Sequence, residues 1–526
     1  MVFRVLTLFT LMVSATVFAQ PAKAAWYEAQ SDHFVIYADD RDSDIVKFAQ
    51  NLERYHRAME LVTGRTVPPP TPSNRVTIYV VGNQRDLRRV LDTDSRTIAG
   101  VYFPRAGAST AFVQDIRNTS SGTPDFSTIV LMHEYAHHFL WSSSRYAMPR
   151  WMSEGAAEFF ASALFNRDGS VSVGLPARHR GGELYNAEPV SVQELLDPEL
   201  YKENRGRRYD AFYGRSWLLY HYLTFGEGRR GQLSAYWDTV RQGKSSYDAG
   251  TAVFGDLDAL EDELDDYLAE RKLSNYTIKG EHLPIGEVTL RALPKGEAEM
   301  MAVRMVSQRG VDRERALELV EKAREIAADY PGDAGVYAAL AEAEYDAGND
   351  EAAIAAADAA LTLDPSRVNA YVQKGYALFR MAGDAEDPEA AYRAAMAPLA
   401  ALNALENDHP IPLIYYYRSF VERGAEPSED ARAALENAAL LAPFDQGLWM
   451  QVGLMQAGEG KIALAQDSLR PLAANPHGGS LADRAQRYIA ILSDLPEGEP
   501  VHSLGLGNIV TEVEIEPVEP DDPDAE

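Results

Sequence analysis

The sequence predicts an α+β N-terminal domain followed by an all-α helical-repeat solenoid. Up to about residue 275, short runs of alternating β-branched and aromatic residues interleave with helical periodicity. From about residue 299 to 492 the strand signals stop, and alanine-rich helical pairs take over. A pair of histidines inside an apolar helical run near residue 133 places a chemical centre in the first domain.

The chain of 526 residues has room for two or three cores. Residues 1–24 read as an export signal. Arg4 precedes an apolar run from Val5 to Phe18, and Ala22-Lys23-Ala24 supplies the small-x-small pattern for cleavage between Ala24 and Ala25. The run is short and poorly flanked for a membrane span, so no stable insertion is expected after cleavage. With no cysteine, the chain has neither a lipid-attachment thiol nor disulfides. The expected location is periplasmic or secreted. A net charge of −29 argues against nucleic acid and anionic membranes as partners, because like charges repel.

In the first domain, residues 25–275, Asp32–Tyr37 reads as a strand and Asp44–Val62 as a helix through Ile45, Phe48, Leu52, Tyr55 and Met59. The prolines at 68–72 break it. Arg75–Val81 is a second strand and Gln84–Leu91 a short helix. Ala99–Phe103 and Ser109–Val113 form a hairpin around a glycine-containing turn. His33 and His56 have no ligand spacing and read as structural. Tyr209–Leu223 is an aromatic-rich helix, and Leu257–Leu273 closes the domain as an acidic surface helix whose charges read as solvated.

The centre lies in Thr128–Phe160. His133 and His137 are four apart, so a helix stacks them on one face and brings two imidazole nitrogens to one ion. Glu134 sits between them, beside the metal without ligating it, where it can take a proton from water. A catalytic zinc has three protein ligands and an open position. Glu154, after sixteen residues that allow a turn, is the third candidate. Glu158 follows one helical turn later, placed to accept the other ring N–H of a ligating histidine. His138 is turned about 100° from His137 and reads as a packing residue.

These residues resemble the gluzincin metallopeptidases, whose pattern is H-E-x-x-H and a distal glutamate in an E-G-x-A helix. The chain is most similar to the bacterial peptidase MA-like proteins, over roughly residues 26 to 275. The resemblance implies His133, His137 and Glu154 as zinc ligands, with Glu134 as general base and one zinc per chain. Aminopeptidase-type relatives supply an oxyanion-stabilising tyrosine from a Y-x5-L-x2-Y-L helix. Tyr213 falls on it here, with Leu219, Tyr222 and Leu223 on the packing positions and Tyr209 as the fallback. Arg215 is a weaker candidate to steer a substrate carboxylate, a solvated helix face being its expected place. The G-x-M-E-N motif of aminopeptidases is missing, which favours an endopeptidase. In this group the strand before the metal-binding helix pairs with extended peptide, a part the resemblance gives to Ser109–Val113, the alternative being an ordinary sheet strand.

A linker is expected at 276–298, then repeats of the tetratricopeptide kind at 299–492. Ala334–Arg367 fits the 34-residue period, with Tyr337, Leu340, Ala341, Gly348, Ala353, Ala357, Ala360 and Pro365 on its small and bulky positions. Ala431, Leu435, Ala438 and Pro443 end a second unit; Trp449, Val452, Gly453, Ala465 and Leu469 make a third. Met381–Pro410 reads as irregular, with an insertion. Such arrays present a groove for a protein partner. Residues 493–526 form an acidic tail, read as disordered, in which Thr511–Ile515 alternates like a short strand.

The reading that joins these features is an exported zinc metallopeptidase, with a protein or peptide substrate and a protein partner on its repeats. The alternatives are a repeat scaffold whose peptidase-like domain binds without cutting, and a zinc hydrolase of some other bond.

Overall fold

The computed structural model describes residues 26–116, 124–204, 209–475 and 477–501. The export signal and the strand expected at 511–515 lie outside them.

The first domain is built on a six-stranded sheet. Its strands are β1 (Tyr27–Gln30), β2 (Phe34–Ala38), β3 (Val76–Val80), β4 (Gly100–Phe103), β5 (Thr110–Val113) and a late strand at Thr289–Ala292, in the order β4-β5-β3-β2-β1 and then the late strand. The pairs β2–β3 and β3–β5 are parallel and the rest antiparallel. The parallel pairing follows from the helices between these strands, α1 (Asp42–Thr63) and α2 (Gln84–Leu91), which carry the chain back across the sheet. The alternation read from the sequence puts Ile36, Ile78 and Ala111 in register on one face, and Tyr37, Tyr79 and Phe112 on the other. The first set packs with α1 residues Ile45, Phe48 and Leu52 into the main core. The second forms a ladder of rings 5.4 and 5.3 Å apart.

Two helices form the floor of the centre, α3 (Phe126–Ser143) and α4 (Arg150–Ala161). A small sheet follows, of β6 (Leu164–Phe165), β7 (Val171–Val173) and β8 (Tyr276–Ile278). Between β7 and β8 run α5 (Gly181–Asn186), α6 (Val192–Leu196), α7 (Pro198–Asn204), α8 (Phe212–Phe225), α9 (Gln232–Arg241), α10 (Ser246–Phe254) and α11 (Leu257–Leu268). The stretch expected to be a linker at 276–298 holds β8 and the late strand, β9. Arg291 on β9 is tied to Glu28 on β1 at 2.7 Å, so the domain closes its sheet after residue 275.

The acidic helix α11 is not merely solvated. Its Glu261 and Asp265 pair with buried Arg215, the latter at 2.7 Å, and its Glu263 with Arg229 at 2.8 Å. Arg215 therefore locks α8 to α11, which corrects both the exposed face and the substrate-steering role considered for it. The substrate-pairing role for Ser109–Val113 is corrected too. β5 lies between β4 and β3, and its backbone on both sides is used within the sheet.

The second half is helical throughout. The helices are α12 (Lys295–Arg309), α13 (Arg313–Asp329), α14 (Ala334–Asp346), α15 (Asp350–Leu363), α16 (Val368–Ala382), α17 (Pro388–Leu405), α18 (Pro410–Val421), α19 (Glu429–Leu441), α20 (Gln446–Gly458), α21 (Ile462–Ala473) and α22 (Gly479–Ser493). The expected unit at 334–367 is the pair α14–α15, whose buried Ala341, Ala353, Ala357 and Ala360 allow close approach. The stretch read as irregular, 381–410, is instead largely the 18-residue helix α17. It carries Pro398 in its interior, where proline removes a backbone donor. The helix accommodates it, buried beside Leu399 and Leu402.

The two halves are in contact along their length. Met301 and Met305 of α12 cover the aromatic ladder, and the Arg304 guanidinium lies 4.4 Å from the centre of the Tyr37 ring. The β4–β5 hairpin tip enters the helical array: Arg105 donates to the carbonyls of Gln308 and Arg309 at 2.9 and 3.0 Å. The backbone N–H of Ala106 donates to Asp445 at 2.8 Å, and its methyl is buried with Leu435, Phe444 and Leu448. Ser73 donates to Glu406 and Asn74 to the Leu441 carbonyl. The helical array thus makes contacts with the chain's own first domain.

Candidate metal centre

Asp125 caps α3 by accepting from the Thr128 N–H at 2.8 Å, which fixes where the helix begins. His133 and His137 then project from one face, with their Nε2 atoms 3.1 Å apart. Helix α4 returns alongside, and Glu154 Oε2 stands 3.3 Å from His133 Nε2 and 3.4 Å from His137 Nε2. Glu154 and His137 are fully buried.

The position of α4 depends on Gly155. It faces α8, where a methyl group would stand 2.4 Å from the Ser216 carbonyl oxygen. Only hydrogen fits, so the residue after Glu154 lets the two helices pack in near backbone contact.

Glu158, one turn beyond Glu154, is placed as expected. Its Oε1 is 3.1 Å from His133 Nδ1. The same carboxylate accepts from Arg180 at 2.6 and 3.0 Å and pairs with His179 Nε2 at 2.5 Å. His137 Nδ1 faces Ser153 Oγ at 3.2 Å. His137 Nδ1 thus has a hydroxyl partner, while His133 Nδ1 stands beside Glu158 without a well-aligned hydrogen bond, and both Nε2 atoms face the cluster. Against the desolvation of their burial, His477 and the other histidines hold the Glu154 carboxyl well below its usual range, and Arg180 and His133 do the same for Glu158. Burial disfavours charge on His133 as well, but Glu158 and Glu154 outweigh it and push it up to about 10.

A fourth group, absent from the sequence reading, completes the cluster. His477 lies between α21 and α22, and its Nε2 stands 2.9 Å from Glu154 Oε1. One donor atom each from His133, His137, Glu154 and His477 lies within 4.8 Å of every other. Four ligands at about 2.0–2.2 Å around a tetrahedral ion stand roughly 3.3–3.6 Å apart, close to the 3.1–3.4 Å among His133, His137 and Glu154. Buried Glu154 oxygens and His477 Nε2 lack any well-formed hydrogen bond. With His133 neutral, imidazole lone pairs and a carboxylate turned on one another repel unless a cation lies between them. The donor set therefore fits a zinc ion.

The other named residues sort clearly. Glu134 is half-buried on α3, and its charge is felt at His477 and at Tyr102. The Tyr213 ring is 6.4 Å from that of His133, with the Arg180 guanidinium 4.6 Å from its centre. Tyr209, half exposed, precedes α8. His138 points elsewhere, its Nδ1 2.6 Å from the Tyr102 hydroxyl and its ring against Phe444; burial holds it down at about 3. His33 pairs with Glu53 at 2.7 Å and His56 with the Tyr135 hydroxyl at 2.9 Å, structural roles as read.

His477 was illegible because no local pattern marks it. It is 323 residues beyond Glu154, on the far side of a domain boundary, and ligand-spacing rules reach only across a turn or two of helix.

No protein-family model and no curated protein matches the chain. Among solved structures it is similar to a thermophilic TPR protein of Thermus thermophilus, at 15% identity over 34% of this chain and 92% of that one, with a TM-score of 0.30. It is also similar to MamA of Desulfovibrio magneticus RS-1, at 18% identity over 39% and 97%, with a TM-score of 0.25. Among the described residues no helix is long and apolar enough to cross a membrane.

Proposed function

We propose that this is an exported zinc-dependent hydrolase of peptide bonds, an endopeptidase, whose active centre is His133, His137, Glu154 and Glu134. The observation that carries the reading is the convergence of two Nε2 atoms and a buried carboxylate, with Glu158 and Ser153 beside the two Nδ1 atoms. His133, His137 and Glu154 would hold the ion, and Glu158 would fix the His133 tautomer. Zinc bound there supplies a Lewis acid for a carbonyl and lowers the pKa of water. Glu134 takes the proton of the attacking water and delivers it to the leaving amine. Tyr213, beside His133, donates to the carbonyl oxygen as negative charge builds on it.

A second reading has one observation in its favour. His477 gives the cluster four protein donors, and closed four-ligand sites are the structural kind. On that reading the ion staples a non-cleaving domain to a repeat scaffold that receives protein partners.

The test is metal analysis with cleavage of a peptide library. About one zinc per chain, lost in His133→Ala, together with cleavage abolished in Glu134→Gln, supports the hydrolase. Stoichiometric zinc with no cleavage by the wild type or by His477→Ala supports the scaffold. A well-folded wild type that takes up no zinc removes both.

A further inference from the structure

The array of helices reaches the metal centre at one side chain. His477 follows α21, and its backbone N–H donates to the Asn475 side chain at 3.1 Å. The imidazole approaches the two histidines of α3 from one side, its ring centre 5.3 Å from that of His137 and 6.4 Å from that of His133. Its Nε2 meets the Glu154 oxygen that the other two histidines leave free. A side chain packed there for shape alone would offer carbon rather than a nitrogen to a buried carboxylate. A simple ion pair would not need two further imidazole nitrogens against the other oxygen of the same carboxylate.

We propose that His477 is the fourth protein ligand of the metal, so that the repeat domain closes the centre in the resting protein. The inference rests on the metal-site reading above and adds its regulation: an outside ligand gains the ion only when His477 has left. Metal binding and docking of the last repeats are then linked, because an ion held from both domains favours the docked arrangement.

The chain's lack of cysteine makes a direct test available. The metal-free full-length wild type, His477→Cys and His477→Ala are titrated with Co2+ alone, and their absorption spectra recorded with circular dichroism as the folding control. His477 lies in a loop and its side chain is 19% exposed, so neither replacement hollows a core. Wild type should bind one Co2+ with the strong visible bands of a four-coordinate site. His477→Cys should add a thiolate-to-cobalt charge-transfer band in the near ultraviolet. His477→Ala should keep the ion with affinity reduced about 10- to 100-fold, and its spectrum should shift on adding azide, to which wild type stays indifferent. Folded, cobalt-loaded His477→Cys without the charge-transfer band overturns the proposal while leaving the three-ligand site standing. So does a wild-type spectrum as responsive to azide as that of His477→Ala. A wild type that binds no Co2+ overturns this proposal and the metal site together.

Discussion

Replacing Gly155 by alanine tests whether the centre depends on the close packing of α4 against α8. The added methyl would stand 2.4 Å from the Ser216 carbonyl oxygen and 2.9 Å from both the Ser216 carbonyl carbon and Tyr220 Cβ. Ordinary contact begins near 3.4 Å, so the helices must part by about 1 Å, and the obstacle is backbone that cannot turn aside. Overpacking of this kind costs about 1–3 kcal/mol, which in a domain of this size lowers the melting temperature by roughly 3–10 °C. Glu154 is the preceding residue and moves with the helix, while ligand distances tolerate only about 0.2 Å. Zinc affinity, measured by competition with a chelator, should fall at least about tenfold. Gly182→Ala is the control, since nothing lies within 4 Å of its added methyl. If Gly155→Ala melts and binds zinc like Gly182→Ala, the argument that this glycine sets the position of the ligand is wrong.

Other outcomes follow from the same structure. Glu134→Gln should retain its zinc by metal analysis yet lose peptide hydrolysis by at least about 100-fold. Glu158→Gln should weaken zinc binding by about 10- to 100-fold, read by chelator competition, because it removes the carboxylate behind His133. Glu28→Gln tests the clasp between β1 and β9. Despite the opposing effect of burial, Arg291, Gln30 and Tyr37 hold the Glu28 carboxyl below its ordinary value of 4.5. A depressed carboxyl stabilises the fold above the unfolded-state value and loses that contribution as pH falls through the folded value. The variant should therefore be less stable by about 1 kcal/mol near pH 7, the half-exposed Arg291 limiting the effect. In denaturant titrations, the gap to wild type should shrink only below about pH 4.5.

The first domain could be read as far as its signals were local. Gln84–Leu91 is a helix with the expected ends, and the hairpin before α3 pairs as expected. The cluster of His133, His137, Glu154 and Glu158 was legible because one turn of helix fixes which side chains share a face. What escaped depends on distant partners. β9 is four residues long and exists because β1 offers an edge. The stretch 381–410 fits no repeat period, but packing on its neighbours makes most of it one helix with Pro398 inside. Arg215 and α11 carry surface-like composition, and only their proximity shows that they neutralise each other. His477 is the extreme case, a lone histidine in a loop whose meaning is set by residues in another domain.

The hairpin tip at 105–107 has a bearing on how the protein is made. Its socket is assembled from the end of α12 and from helices beyond residue 400, and ties such as Ser73 to Glu406 and Ala106 to Asp445 join positions more than 300 residues apart. Synthesis delivers the peg first and the socket last, so a nascent chain carries Ala106 uncovered until α20 has emerged. A fragment stopped before α20 keeps that gap. An array expressed alone presents an empty socket, and the strongest bait for it is the protein's own first half.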